Sequence, residues 1–170
     1  MIYTVRCTVV FVLVVVSGAT FAADTVDTPR GEMMLTVSGT IGITNFEGAA
    51  LFDLEMPQTL GSNIFKTATI WTPGAQIFTG ARLAELPRVL GVKGRTPQAS
   101  AMNDYAVEIP VSDAIDDGPI FACARNGAQM STRDKGPLWI GSPYDSSNKY
   151  RSELIYSRSV WQFDRIEVRP

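Results

Sequence analysis

Hydrophobic and polar positions alternate along much of the chain, which is the pattern of half-buried β-strands. In MMLTVSG (33–39), Leu35 and Val37 fall on one face, and Thr36 and Ser38 fall on the other. Other segments share this period or are rich in β-branched and aromatic residues. They lie at 44–57, 64–72, 101–110 (two short strands around a turn), 119–125, 137–143 and 159–168. The pattern predicts a mostly β domain.

The last of these segments is expected to alternate regularly, with one face formed by Val160, Gln162 and Asp164 and the other by Trp161, Phe163 and Arg165. This pattern assigns Trp161 to the core, and the apolar run PLWI assigns Trp139 there too. Asn126-Gly127, directly after PIFACAR, is the strongest hairpin signal in the sequence.

One segment, FTGARLAELPRVLG (78–91), has the period of a helix. Pro87 is expected to shorten or kink this helix, and Gly91 to end it. Ser112 and Asp113 predict the N-cap of a second, brief helical turn. Three leucines share one face of the first helix: Leu83, Leu86 and Leu90. With the strands, these elements predict an α+β, mostly β fold.

The first residues have the composition of a secretory signal peptide. Arg6 precedes an unbroken apolar run at 9–16, and small residues follow up to Ala22. The run is shorter than the roughly 20 residues needed to span a bilayer, which argues against a membrane anchor. We therefore expect a signal peptide at 1–22, a periplasmic protein, and one domain at 23–170.

Composition excludes several kinds of chemistry. The formal net charge is −2 and no basic patch is evident, so nucleic acid is a poor partner. The chain has no histidine, which rules out His-dependent nucleophile systems and His-ligated metals. Cys123 is the only cysteine after the signal peptide, so no internal disulfide is expected. Its place in IFACAR indicates a small buried hydrophobe rather than a reactive thiol.

The order of motifs resembles the molybdopterin-binding domain of the sulfite-oxidase family over about residues 33–168. The motifs are FTGARLAEL, AMNDYAVEIP, ARNGAQMSTRDKGPLWIGSP and SRSVWQFDRIEV. The basic-acidic loop before Gly-Pro, followed by Ser-Arg-Ser-Val-Trp, is the most specific part. The resemblance implies a mixed α/β fold, largely β, around a bound pterin.

One departure from the family pattern bears on function. The enzymes bind molybdenum through a cysteine thiolate in or near the region matching TATIWT (67–72), where this chain has no cysteine. Molybdenum prefers a soft sulfur donor, and a hydroxyl is no substitute. The sequence therefore favours a binding protein without molybdenum over an enzyme.

In this respect the chain resembles the small periplasmic pterin-binding proteins of the same fold. That resemblance implies a partner: the periplasmic sensory domain of a membrane protein with diguanylate cyclase and phosphodiesterase domains. Two alternatives remain open. One is a molybdopterin-dependent oxidoreductase, or its subunit, with an unusual metal ligand, and the other is an interaction module without a ligand.

Candidate binding residues follow from the chemistry of a pterin, a flat ring with a row of donors and acceptors along one edge. Carboxylate and guanidinium groups can pair with that edge, and aromatic rings can stack on its face. The loop charges are polar candidates, with a solvated turn as the alternative. The SRS segment resembles one that lines the cofactor in the family enzymes, and its alternative is a strand entry with exposed polar side chains. The ten candidates are Trp71, Asn103, Tyr105, Arg133, Asp134, Lys135, Tyr144, Ser157, Arg158 and Ser159.

Overall fold

A computed structural model of the protein describes residues 26–55 and 60–170. The predicted signal peptide lies outside these residues, as does Met56 at the end of the predicted second strand. None of the helices in the described ranges combines the length and hydropathy that crossing a membrane requires.

The described residues form a mostly β domain with two short helices. The helices are α1, Glu85–Leu90, and α2, Glu153–Ser157. The strands in chain order are β1 Met33–Gly39, β2 Ala50–Asp53, β3 Ser62–Ala68, β4 Ala75–Arg82, β5 Thr96–Ala101, β6 Ala106–Glu108, β7 Ile120–Arg125, β8 Ala128–Gln129, β9 Trp139–Gly141 and β10 Phe163–Arg169.

The strands are arranged in two sheets. The first has the order β2-β1-β10-β5-β6, in which β1 and β10 are parallel and the other neighbours are antiparallel. The second has the order β3-β4-β7-β8, with β9 pairing to β7. An α+β, mostly β fold, as predicted from the sequence, is consistent with this architecture.

The main hydrophobic core contains residues from both sheets, including Phe52 and Phe163 from the first and Phe121 from the second. A smaller cluster uses the other face of the second sheet, where Ile120 packs with Trp139. Both faces of β7 are therefore buried, which explains why IFAC is continuously apolar rather than alternating.

Several local predictions are confirmed. Leu35 and Val37 are both buried on β1. Asn126 and Gly127 adopt positive φ angles of 53° and 81° in the β7–β8 hairpin, as a tight type I′ turn requires. Gly91 ends α1 in a left-handed conformation. The three leucines of the predicted helix, Leu83, Leu86 and Leu90, are also buried.

Other predictions are wrong at the boundaries. The first residues of the predicted helix, 78–82, belong to β4, because the backbone there pairs with both β3 and β7. A Cβ on Gly80 would lie 2.2 Å from the carbonyl oxygen of Phe121, so this pairing needs glycine. Ser112 and Asp113 lie inside a 3₁₀ turn, Val111–Asp113, whose N-cap is Pro110 and lacks a side-chain hydrogen bond.

The last strand does not alternate as predicted. Gln162 has a φ of 53°, and the β10–β5 register shifts between Phe163 and Arg165. Phe163 and Ile166 are consequently both buried although they lie three positions apart, whereas a simple alternation would bury every second residue. Trp161 is 41% exposed, which contradicts its assignment to the core, whereas the buried position of Trp139 confirms that prediction.

Candidate functional site

An open groove brings together the end of β5, the β5–β6 turn, the C-terminal end of α2 and the entry to β10. Its cavity volume is about 260 Å³, just below the ~300–1,000 Å³ typical of ligand sites. The groove is lined by Trp71, Ala101, Asn103, Tyr105, Tyr156, Ser157, Ser159, Trp161 and Gln162.

Trp71 connects the groove to an aromatic cluster beneath it. Its ring contacts those of Trp139, Tyr144 and Tyr156 edge-on, with centroid separations of 5.9, 6.2 and 5.8 Å. Edge-to-face contacts of this kind are favourable beyond the area they bury. The groove-lining Trp71 and Tyr156 are thus held by ring contacts rather than left mobile at the surface.

Tyr144 supports the groove from below. Its side chain is buried, and its hydroxyl lies 2.5 Å from Oγ of the groove residue Ser159. Ser159 Oγ also donates to the carbonyl oxygen of Ile155, so Tyr144 donates to Ser159. Burial raises the pKa of Tyr144 to about 12, because the charged tyrosinate would be poorly solvated there.

We expect Tyr144→Phe to remove part of the loss of stability at alkaline pH. The folded protein keeps the Tyr144 proton above pH 10, where an unfolded tyrosine loses it. The contribution is therefore complete below about pH 10, falls by about 1.4 kcal/mol by pH 11, and falls by about 3 kcal/mol in all as the pH rises through about 12. Urea unfolding at pH 8 and pH 11 measures this, and an equal alkaline loss in both proteins would contradict it.

The basic-acidic loop lies directly beside the groove. Gln162 donates from its backbone N–H to the Lys135 carbonyl oxygen (2.9 Å) and from Nε2 to the Thr132 carbonyl oxygen (3.0 Å). Nζ of Lys135 lies 3.8 Å from the centroid of the Trp161 ring. Lys135 therefore adds a positive charge next to the exposed tryptophan.

The other two loop charges do not line the groove. Asp134 accepts a hydrogen bond from the Ser131 hydroxyl (2.8 Å) and lies 3.6 Å from Nη2 of Arg125. Arg133 is exposed. Both residues sit in the 3₁₀ turn Thr132–Asp134, which Ser131 caps.

The mouth of the groove is formed by Asn103 and Tyr105. The Tyr105 hydroxyl donates to the carbonyl oxygen of Ser157 (2.7 Å), which links the β5–β6 turn to the end of α2. Asn103 Oδ1 accepts from the backbone N–H of Tyr105 (3.2 Å), which leaves its amide nitrogen available to a ligand.

Arg158 points away from the groove. Its Nη1 donates to Oδ2 of Asp113 at 2.5 Å, and the side chain lines a second cavity on the far side of α2. Residues 154, 155 and 158 face that cavity, while 156 and 157 face the groove. These spacings match the 3.6-residue period of a helix.

Apart from the small Ala101, sequence reasoning missed three groove residues: Tyr156, Trp161 and Gln162. All three lie within three residues of the SRS candidates at 157–159. The sequence therefore located the segment but did not predict which of its side chains face the groove. The positive φ of Gln162 turns Trp161 outward, and no local signal in the sequence indicates that turn.

The segment expected to replace the metal-binding thiolate offers only hydroxyl groups, and these are engaged. Thr67 Oγ1 accepts from the backbone N–H of Asp145 (3.0 Å), and the Thr69 and Thr72 hydroxyls lie 2.7 Å apart. Cys123 is buried in another strand, with its Sγ 3.6 Å from the Thr79 carbonyl oxygen. Burial raises the pKa of this thiol and disfavours the thiolate.

Over residues 26–55 and 60–170, no three His, Cys, Asp or Glu side chains lie together as a metal site would need. The available donors do not suit molybdenum, which takes a soft sulfur ligand. The groove suits a flat organic ring better than a metal ion, because it combines aromatic side chains with amides and hydroxyls.

Comparisons with known proteins bear on the fold. No family model matches the sequence, and no curated protein matches it either. Among solved structures, the sulfane dehydrogenase SoxCD from Paracoccus pantotrophus is similar, with a TM-score of 0.60 and 17% sequence identity. The match covers 90% of this chain but only 40% of the SoxCD chain. At this identity the likeness concerns the fold alone: the domain shares its architecture with part of the SoxCD chain.

Proposed function

We propose that this domain binds a pterin in the groove and carries no molybdenum. The observation that carries the proposal is the meeting of four aromatic side chains with two side-chain amides in one open groove. Aromatic faces suit a flat ring, and stacking contributes about 1–3 kcal/mol per ring. The fold likeness and the motif resemblance support the same ligand class.

The edge of a pterin would meet groups that both donate and accept hydrogen bonds. Asn103 and Gln162 each present an amide of this kind. Lys135 Nζ lies 3.8 Å from the centroid of the Trp161 ring, so its ammonium would donate a hydrogen bond to the carbonyl oxygen of a ligand bound beside that ring. Ser157 and Ser159 supply hydroxyl or backbone groups for a polyol tail, as in a monapterin- or neopterin-type pterin.

Arg133 and Asp134 are the least well placed of the candidate contacts with the ligand. They lie in the loop whose Thr132 carbonyl oxygen accepts a hydrogen bond from Gln162, but neither side chain lines the groove. Arg158 is left out of the proposed contacts, because its guanidinium pairs with Asp113 and lines the second cavity.

The proposed role is a periplasmic sensor of pterin availability. As the motif resemblance implies, its partner would be the sensory domain of a membrane cyclic-di-GMP signalling protein. A second candidate, a molybdopterin-dependent oxidoreductase, is favoured by the fold shared with a sulfane dehydrogenase. The engaged threonines and the inward-facing Cys123 weigh against it. An interaction module without a ligand would leave the aromatic groove unexplained.

Metal analysis separates the two main candidates. We expect protein purified from a host competent in molybdenum-cofactor synthesis to contain no molybdenum above background, because the described donors lack a thiolate. Elemental analysis gives the metal content, and fluorescence of the denatured protein gives any released pterin. Stoichiometric molybdenum would overturn the non-enzyme proposal, and Cys123→Ser would then test the only free thiol in the described residues.

A further inference from the structure

A second cavity lies on the other side of α2 from the groove. Its volume is about 320 Å³, within the ~300–1,000 Å³ range of small-molecule sites. The walls come from the 3₁₀ turn Val111–Asp113, the turn Asn148–Tyr150, β9 and α2. These elements are distinct from those that carry the loop at 131–135.

One side of this cavity is apolar. Ile109 and Ile140 are buried beneath it, while Ile115 and Leu154 remain 42% and 56% exposed at its rim. Exposed aliphatic side chains around a concavity are a common feature of sites for ligands with an apolar part.

The other side carries hydroxyls and an excess of positive charge. Arg158 and Lys149 line the cavity against a single carboxylate, that of Asp113. Lys149 makes no ion pair within the described residues, and its Nζ lies 4.7 Å from the centroid of the Tyr150 ring. Ser142 also lines the cavity, and its hydroxyl has no hydrogen-bond partner in the described part of the chain.

The guanidinium of Arg158 is only partly used. Its Nη1 donates a hydrogen bond to Asp113 (2.5 Å), whereas its Nε is buried and has no hydrogen-bond partner among the described residues. Nε and the second Nη form the edge of a guanidinium that binds a carboxylate through two parallel hydrogen bonds. A buried donor without a partner is costly, so a ligand that pairs with it gains affinity.

We infer that this cavity is a second binding site, separate from the groove, for a small organic carboxylate with a short apolar chain. The carboxylate pairs with Arg158, after a small rotation that exposes Nε, and with Lys149 and Ser142. The chain packs against Ile115 and Leu154. This assignment does not depend on pterin binding in the groove.

The test uses sodium hexanoate as the probe and 1-hexanol as its neutral counterpart, with amide chemical shifts of the purified protein as the readout. Hexanoate is expected to give saturable shifts confined to residues 109–119 and 140–158. Hexanol is expected to bind at least about tenfold more weakly, because it cannot form the charge-assisted hydrogen bonds.

Two variants test the named cations. Arg158→Lys keeps the positive charge that faces Asp113 but loses the paired Nε and Nη2 donors of the guanidinium. We therefore expect about a tenfold loss of hexanoate affinity. Lys149→Met removes an exposed side chain without an ion-pair partner in the described residues, so it should fold normally and bind hexanoate a few-fold more weakly. Lys93→Met, an exposed lysine outside the cavity, is the matched control and should bind like wild type.

The inference is overturned if hexanoate and hexanol bind equally, or if the shifts scatter outside the two segments. It is also overturned if both cation variants bind hexanoate like wild type. A protein that binds pterin but not hexanoate contradicts this inference alone. The reverse result contradicts the proposed function and leaves this site standing.

Discussion

Trp161→Ala is expected to weaken pterin binding roughly five- to a hundred-fold while leaving the protein folded. Trp161 is 41% exposed and lines the groove, and Lys135 Nζ lies over its ring, so a ligand would stack on the face that Lys135 does not cover. Loss of one stacking contact costs about 1–3 kcal/mol, and about 1.4 kcal/mol corresponds to tenfold in affinity. Calorimetric titration with reduced and oxidised pterins measures the change.

Ile64→Ala is the matched control for this variant. Ile64 is also a large exposed apolar side chain, but it lies on β3 and does not line the groove. It should leave pterin affinity unchanged. Equal affinity of wild type and a folded Trp161→Ala protein would show that the ligand does not use this ring.

Phe163→Ala, two residues further along the chain, should lower the stability of the fold, whereas Trp161→Ala should lower only the affinity for the ligand. Phe163 has no exposed surface and belongs to the main core that both sheets share. Truncation of such a ring removes its burial and leaves a cavity, which costs about 3–5 kcal/mol of unfolding free energy. Urea unfolding followed by tryptophan fluorescence measures this loss.

The matched control is Phe46→Ala, because Phe46 is 54% exposed before β2. Its effect should stay within about 1 kcal/mol. If Phe163→Ala were no more destabilising than Phe46→Ala, the assignment of Phe163 to the core would fail. The two variants therefore distinguish a ligand-binding residue, Trp161, from a core-packing residue, Phe163, only two positions away.

Much of the fold could be predicted because it depends on local patterns. The alternation in β1, the Asn126-Gly127 hairpin and the leucine spacing of α1 each reflect an intrinsic backbone or burial preference. The first turn of the predicted α1 was wrong because residues 78–82 pair with strands on both sides. Tertiary pairing of this kind overrides a helical period, and it is invisible to a single segment.

The candidate site was less predictable from residues alone. Trp71, Asn103, Tyr105, Ser157 and Ser159 come together in the groove, although they lie far apart in the chain, and only the family resemblance grouped them. The Arg158 side chain points away from the groove because of α2, a helix of five residues that no sequence pattern predicted. Similarly, the outward turn of Trp161 depends on the backbone irregularity at Gln162.

Calorimetric titration of reduced and oxidised pterins into the wild-type protein shows whether the groove binds a pterin. Glu85→Ala, a change on α1 away from the groove, serves as the folded reference and should bind like wild type. We expect saturable binding at one site per chain, weakened in Trp161→Ala and unchanged in Glu85→Ala. No detectable binding of either redox form to folded wild-type protein would contradict it.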